Sequence, residues 1–92
     1  MIVGVLTLDL FFPFAHSLKD KRRILRGFKD RERRQNVALA ELEFHDLWQR
    51  ARLGIVTVNS QASVVEEVLA RVLADAGALE EAEVAGHEIR YV

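Results

Sequence analysis

The sequence predicts an α+β sandwich, with two amphipathic helices on one face of a four-stranded antiparallel sheet. Three observations predict it. Strand-like and helix-like segments follow one another in the order β-α-β-β-α-β. Each helix-like segment carries an apolar stripe with charge on its opposite side. The second and third strand-like segments are joined by a short polar connection that suits an antiparallel hairpin. The chain has 92 residues, 50% hydrophobic and 29% charged, an ordinary globular mixture for one domain over residues 1–92 with one modest core.

The first strand runs from Ile2 to Phe11, β-branched and aliphatic without a helix breaker. Leu6, Leu8 and Leu10 fall on one side, Val3, Val5, Thr7 and Asp9 on the other. Pro13 ends it, because proline has no N–H for a ladder. Ser17 opens the first helix as an N-cap, with Asp20 three residues on in a capping-box position. Leu18, Lys21, Leu25, Phe28 and Glu32 share a face flanked by Ile24. Gly27 inside this helix suggests a close backbone approach. Val37 to Phe44 is the second strand, and Arg52 to Asn59 the third, with a start as early as Trp48. Asn59 or Ser60 caps the second helix, with Ser63 as an alternative start. Val65, Val68, Leu69, Val72, Leu73 and Ala76 make its apolar stripe, and Gly77 is its C-terminal stop. Glu83 to Val92 is the last strand. Packing both helices on one sheet face in this order gives the ferredoxin-like arrangement.

Charge is unevenly spread. Between Lys19 and Arg34 nine basic and three acidic residues give a net +6, and from Gln61 to Val92 two basic and seven acidic residues give −5. The whole chain is close to neutral at −1. Such a polarised molecule orients its partners, and salt screens the effect. No cysteine is present, which excludes disulfides, thiolate metal sites and a cysteine nucleophile. Nothing reads as a signal peptide, and no apolar run approaches the roughly 20 residues of a membrane helix. The expectation is a cytoplasmic protein without membrane contact.

Two constellations are candidates for binding. Lys19, Arg22 or Arg23, Arg26, Lys29 and Arg33 recur at three- and four-residue spacing on one helix side. Cations in that pattern can track phosphates and release counterions. The bland alternative is a solvated helix face. Trp48, Gln49 and Arg50 offer a flat apolar ring, an amide and a planar fork, a secondary contact for a nucleotide or partner. Here the bland alternative is packing at the sheet edge. His45 and Asp46 give at most two metal ligands, and His16 or His87 could join them only if folding brings them close. If the Leu6, Leu8 and Leu10 side faces the helices, Val3, Val5, Val37, Leu39, Leu53 and Ile55 face outward. That expectation makes the sheet face a homodimer surface or a binding platform, with partial cover by long side chains and the tail as the bland alternative.

The strings Ser17-Leu18-Lys19-Asp20-Lys21-Arg22-Arg23-Ile24-Leu25 and His45-Asp46-Leu47-Trp48-Gln49-Arg50-Ala51-Arg52-Leu53-Gly54, with the start Ile2-Val3-Gly4-Val5-Leu6, resemble the YlxP-like proteins, family 503 of the bacterial domains of unknown function. The resemblance runs along essentially the whole chain. It implies a small bacterial cytosolic protein of ferredoxin-like fold. Members are often encoded beside translation and ribosome-maturation factors, which implies RNA or ribosomal particles as partners. It brings no activity with it.

No catalytic motif is recognised: there is no G-x-S-x-G elbow, P-loop or dinucleotide fingerprint. Acylphosphatases share this fold, but Phe11-Phe12-Pro13-Phe14-Ala15-His16 lacks their glycine-rich, arginine-ended phosphate cradle. No cofactor is called for. The sequence therefore leads to a non-enzymatic RNA- or ribosome-binding module, with a dimerisation module or a small-ligand sensor as alternatives.

Overall fold

The computed structural model of the protein describes residues 1–92. Its elements are β1 (Ile2–Phe11), α1 (Leu18–Glu32), β2 (Ala38–Glu43), β3 (Arg50–Asn59), α2 (Ala62–Gly77) and β4 (Glu83–Tyr91). The four strands form one antiparallel sheet in the order β2-β3-β1-β4, the ferredoxin-like order of an α+β fold. β1 pairs with β3 along its whole length, from Ile2 opposite Asn59 to Phe11 opposite Arg50. These two long strands give the molecule its extents of 42 × 20 × 17 Å and put the β2–β3 turn at one far end.

One sheet face is the core. Leu6 stands opposite Ile55 and Leu8 opposite Leu53, so all four side chains point to the same side. Leu25 and Phe28 of α1 and Val65, Leu69, Val72 and Ala76 of α2 close over them. Each such side chain stabilises the fold by about 1.5–3 kcal/mol through burial. β1 passes so near α2 that a Cβ at Gly4 would collide with Val65 and stand 2.9 Å from Leu69 Cδ1. Glycine at this strand position is therefore set by packing.

This register corrects the predicted outward face. Leu53 and Ile55 are wholly buried in the core, and Val37 and Leu39 pack against it. The residues that do face away are Val3 opposite Val58 and Val5 opposite Val56. Leu42, displaced by a bulge between Glu41 and Glu43, covers Gly54 on that same side.

The helix ends follow capping chemistry with two departures. Ser17 caps α1: its hydroxyl accepts from the Asp20 N–H at 3.1 Å, and Asp20 Oδ2 accepts from the His16 N–H at 3.0 Å. Basic Lys29 and Arg31 sit in the last turn, where they complement the helix dipole. α2 departs from expectation. Gln61 occupies its cap position without a side-chain bond, and Asn59 Oδ1 instead accepts from the Gln61 N–H at 3.0 Å. Gly77 is helical, and Ala78 ends the helix in a right-handed conformation. A Cβ at Gly27 would meet nothing within 4 Å, so no close approach explains that glycine.

Candidate functional site

The basic side of α1 divides by pairing. Arg23 pairs with Glu81 at 2.9 Å, Arg31 with Asp75 at 3.4 Å and Arg33 with Asp30 at 3.3 Å. Lys19, Arg22, Arg26 and Lys29 make no ion pair. Their spacing of three, four and three residues places them in one row along the helix. Lys19, Arg22 and Arg26 are exposed and Lys29 is half-buried. Lys19, Arg22, Arg23 and Arg26 border a surface depression of about 560 Å³. Arg22, Arg26, Lys29 and Arg33 continue along the helix toward β2, beside Glu41. The structure thus brings all six predicted basic residues onto one surface, with four of them outside any ion pair, and Asp20, Asp30 and Glu41 border the same depressions.

Lys21 belongs to a different chemistry. It is buried under α1, and its ammonium donates to Glu41 Oε2 at 3.0 Å and to the carbonyls of Phe44 (2.8 Å), His45 (3.3 Å) and Arg50 (3.2 Å). A buried ammonium is tolerated only when paired and hydrogen-bonded. Here it gathers both ends of the β2–β3 turn around one cation. Phe44 takes φ 68°, a left-handed conformation costly for a bulky side chain. This ends β2 at Glu43, one residue before the predicted end. Phe44 is held by Lys21, by the Leu47 N–H donating to its carbonyl at 3.0 Å, and by the Arg50 guanidinium 4.1 Å over its ring.

The three predicted secondary-contact residues lie together on this turn but differ in what they do. Gln49 Nε2 donates to the Pro13 carbonyl at 3.3 Å, tying the turn to the loop after β1. Arg50 stacks on Phe44. Trp48 is half-exposed and borders, with Asp46 to Arg50, an open concavity of about 400 Å³. Phe14 and Leu47 add exposed apolar surface on the two tied loops. His45 and Asp46 are exposed, and no cluster of three or more His, Asp or Glu side chains is assembled that could hold a metal ion.

A site the sequence did not single out lies at the other end of α1. Glu32 is buried, and neither of its carboxyl oxygens has a hydrogen-bond donor. Burial first, and neighbouring Asp75 of α2 second, raise its pKa from 4.5 to about 7, against the opposing charge of Arg31. Glu32 also lines a depression of about 200 Å³ with Lys29, Arg33, Val37 and Leu39. The signal in the sequence was an acid at a core position of a helix.

No helix is long and apolar enough to cross a membrane. The fold is similar to the de novo designed protein Foldit4, with a TM-score of 0.58 at 14% identity over 100% of this chain and 97% of that one. It is also similar to a C-terminal segment of the alpha subunit of aIF2 from Pyrococcus abyssi, with a TM-score of 0.51 at 17% identity over 100% of this chain and 49% of that one. Both likenesses speak to the fold alone. The sequence is 35% identical over 74 residues to the uncharacterized protein YlxP of Bacillus subtilis (strain 168), covering 79% of this chain and 80% of that protein. Residues 3–89 match the family model described as protein of unknown function (DUF503). The chain belongs to the DUF503 family.

Proposed function

We propose that the protein is a non-enzymatic binding module for RNA or ribosomal particles, docking through the row Lys19, Arg22, Arg26 and Lys29. The observation that carries the reading is the absence of any ion pair along that row, while Arg23, Arg31 and Arg33 beside it are neutralised. An unpaired row on a rigid helix can meet successive phosphates without first breaking internal pairs. Trp48 supplies a second contact, since an exposed indole stacks on unpaired bases. The acidic α2–β4 half repels phosphate and limits docking to one side.

Replacing Lys19, Arg22, Arg26 and Lys29 together by Glu tests this. Affinity for a single-stranded RNA is expected to fall at least about 100-fold at low salt, because four favourable phosphate contacts become repulsive. The four side chains lie outside the core, so the circular-dichroism spectrum and melting transition are expected to persist. Unchanged RNA affinity in the folded variant contradicts the reading.

One observation favours a second reading. Val3, Val5, Val56 and Val58 form a contiguous apolar strip on the sheet face that no helix covers, with Val56 and Val58 about 40% exposed. Homodimerisation through that strip would remove it from water. Sedimentation equilibrium is expected to show a mass that rises with concentration, and Val56→Lys to hold the protein monomeric. A strict monomer at high concentration contradicts it.

A further inference from the structure

The end of α1 places a buried, donor-less carboxyl beside the last cations of the basic row. Glu32 lines one depression with Lys29 and Arg33, which stand on neighbouring helix turns at its rim. From α2, Asp75 faces Glu32. Arg31 reaches across to Asp75 at 3.4 Å. Val37 just before β2 and Leu39 within it offer only apolar side chains to this depression.

Asp75 has Arg31 as a donor, but Glu32 has none; beside a second carboxyl group it is stable when it holds a proton, which then serves as the missing donor. Protonated Glu32 leaves Lys29 as the unpaired cation at the rim, beside Arg33 in its pair with Asp30. Ionised Glu32 adds a negative charge behind them, screened by little water because it is buried.

We infer that phosphate binding at this end of the row is proton-coupled: a phosphate held by Lys29, at the rim beside the Arg33–Asp30 pair, is bound together with a proton on Glu32. The inference rests on the phosphate-binding reading above and assigns that surface its regulation. A bound anion disfavours the ionised form of Glu32, so it holds the proton more tightly. By linkage, the same proton tightens the anion. Affinity then falls as pH rises through the Glu32 titration near 7. The carboxyl is neutral below that range and charged above it.

The test is the affinity of a short fluorescent oligouridylate, at constant ionic strength, for the wild-type protein and Glu32→Gln. The amide keeps the shape and a donor toward Asp75 but cannot ionise. Wild-type affinity is expected to drop about tenfold between about pH 6 and 8. Glu32→Gln is expected to stay near the low-pH wild-type value throughout. Parallel curves for the two proteins overturn the coupling and leave the RNA reading standing. If neither protein binds the oligonucleotide, the RNA reading falls, and a carbon-13 NMR titration of the Glu32 carboxyl decides the coupling separately. Inorganic phosphate raises its midpoint relative to chloride if the inference holds. An unmoved midpoint overturns it.

Discussion

Replacing Lys21 by Met is expected to destabilise the protein by about 3–5 kcal/mol, the cost of removing one partner from a buried charge pair. The apolar stem of methionine fills the lysine's path under α1, so the loss isolates the ammonium. Without it, Glu41 keeps a largely buried carboxylate that has lost its ion-pair partner, and the carbonyls of His45 and Arg50 lose their shared donor. Phe44 then holds its left-handed conformation without the contact that helped fix it. For a chain of this size the melting temperature is expected to fall by roughly 15 °C or more. Trp48, the sole tryptophan, sits on the affected turn and reports on it directly. Its emission is expected to shift and broaden in the variant before global unfolding. A second variant, Lys21→Met with Glu41→Gln, is expected to recover part of the loss by removing the stranded charge. A stability change under about 1 kcal/mol in Lys21→Met would show that the turn is fixed by other contacts.

Stability is expected to fall as pH rises through the window set by Glu32, and Glu32→Gln to remove that fall. The folded pKa of about 7 lies above the ordinary 4.5. Below about pH 4.5 the carboxyl is protonated in both states and contributes no difference. Between there and pH 7 the unfolded chain releases its proton while the folded chain keeps it, so the folded state loses ground with each pH unit. Above pH 7 both are ionised, and the folded state carries the full cost, about 3 kcal/mol from the size of the shift. Glu32→Gln is expected to match the wild type near pH 4.5 and to exceed it by about 1–3 kcal/mol at pH 8. Urea denaturation across pH measures this. Subtracting the two curves isolates the titration of Glu32 together with that of its neighbour Asp75. Parallel curves would mean that Glu32 is solvated as well in the folded chain as in the unfolded one.

These two residues mark where sequence reasoning stops. The helical period places Lys21 and Glu32 on the apolar face of α1, so their burial was legible. Their partners were not. Lys21 meets Glu41 and the turn carbonyls, and Glu32 meets Asp75, across 20 residues or more of chain. The hairpin shows the same limit. Alternation in β3 was clear, with Leu53, Ile55 and Thr57 on one side and Gly54, Val56 and Val58 on the other. Both sides carry β-branched or aliphatic residues, so hydropathy could not choose the inner one. The register with β1 chooses it, by setting Leu53 opposite Leu8. Once that register is fixed, the parity of β2 follows, and Val37 and Leu39 turn inward as well.

The candidate interface divides in the same way. The row of bases on α1 was readable because helical spacing is local. Which cations remain unpaired depends on Glu81 and Asp75, brought to α1 by the fold. Gln49 looked like a ligand-binding amide, yet its side chain holds the loop after β1. Only a tertiary contact separates those roles.

The measurement that tests the central claim most directly is sedimentation of the tagged protein with ribosomal particles from a bacterial lysate, at low and at high salt. Docking through the α1 row predicts migration with a particle fraction at low salt and release at high salt, since displaced counterions drive the contact. If the protein stays at the top of the gradient in both salts, the RNA-facing account is wrong, and the uncovered valine strip becomes the surface to pursue.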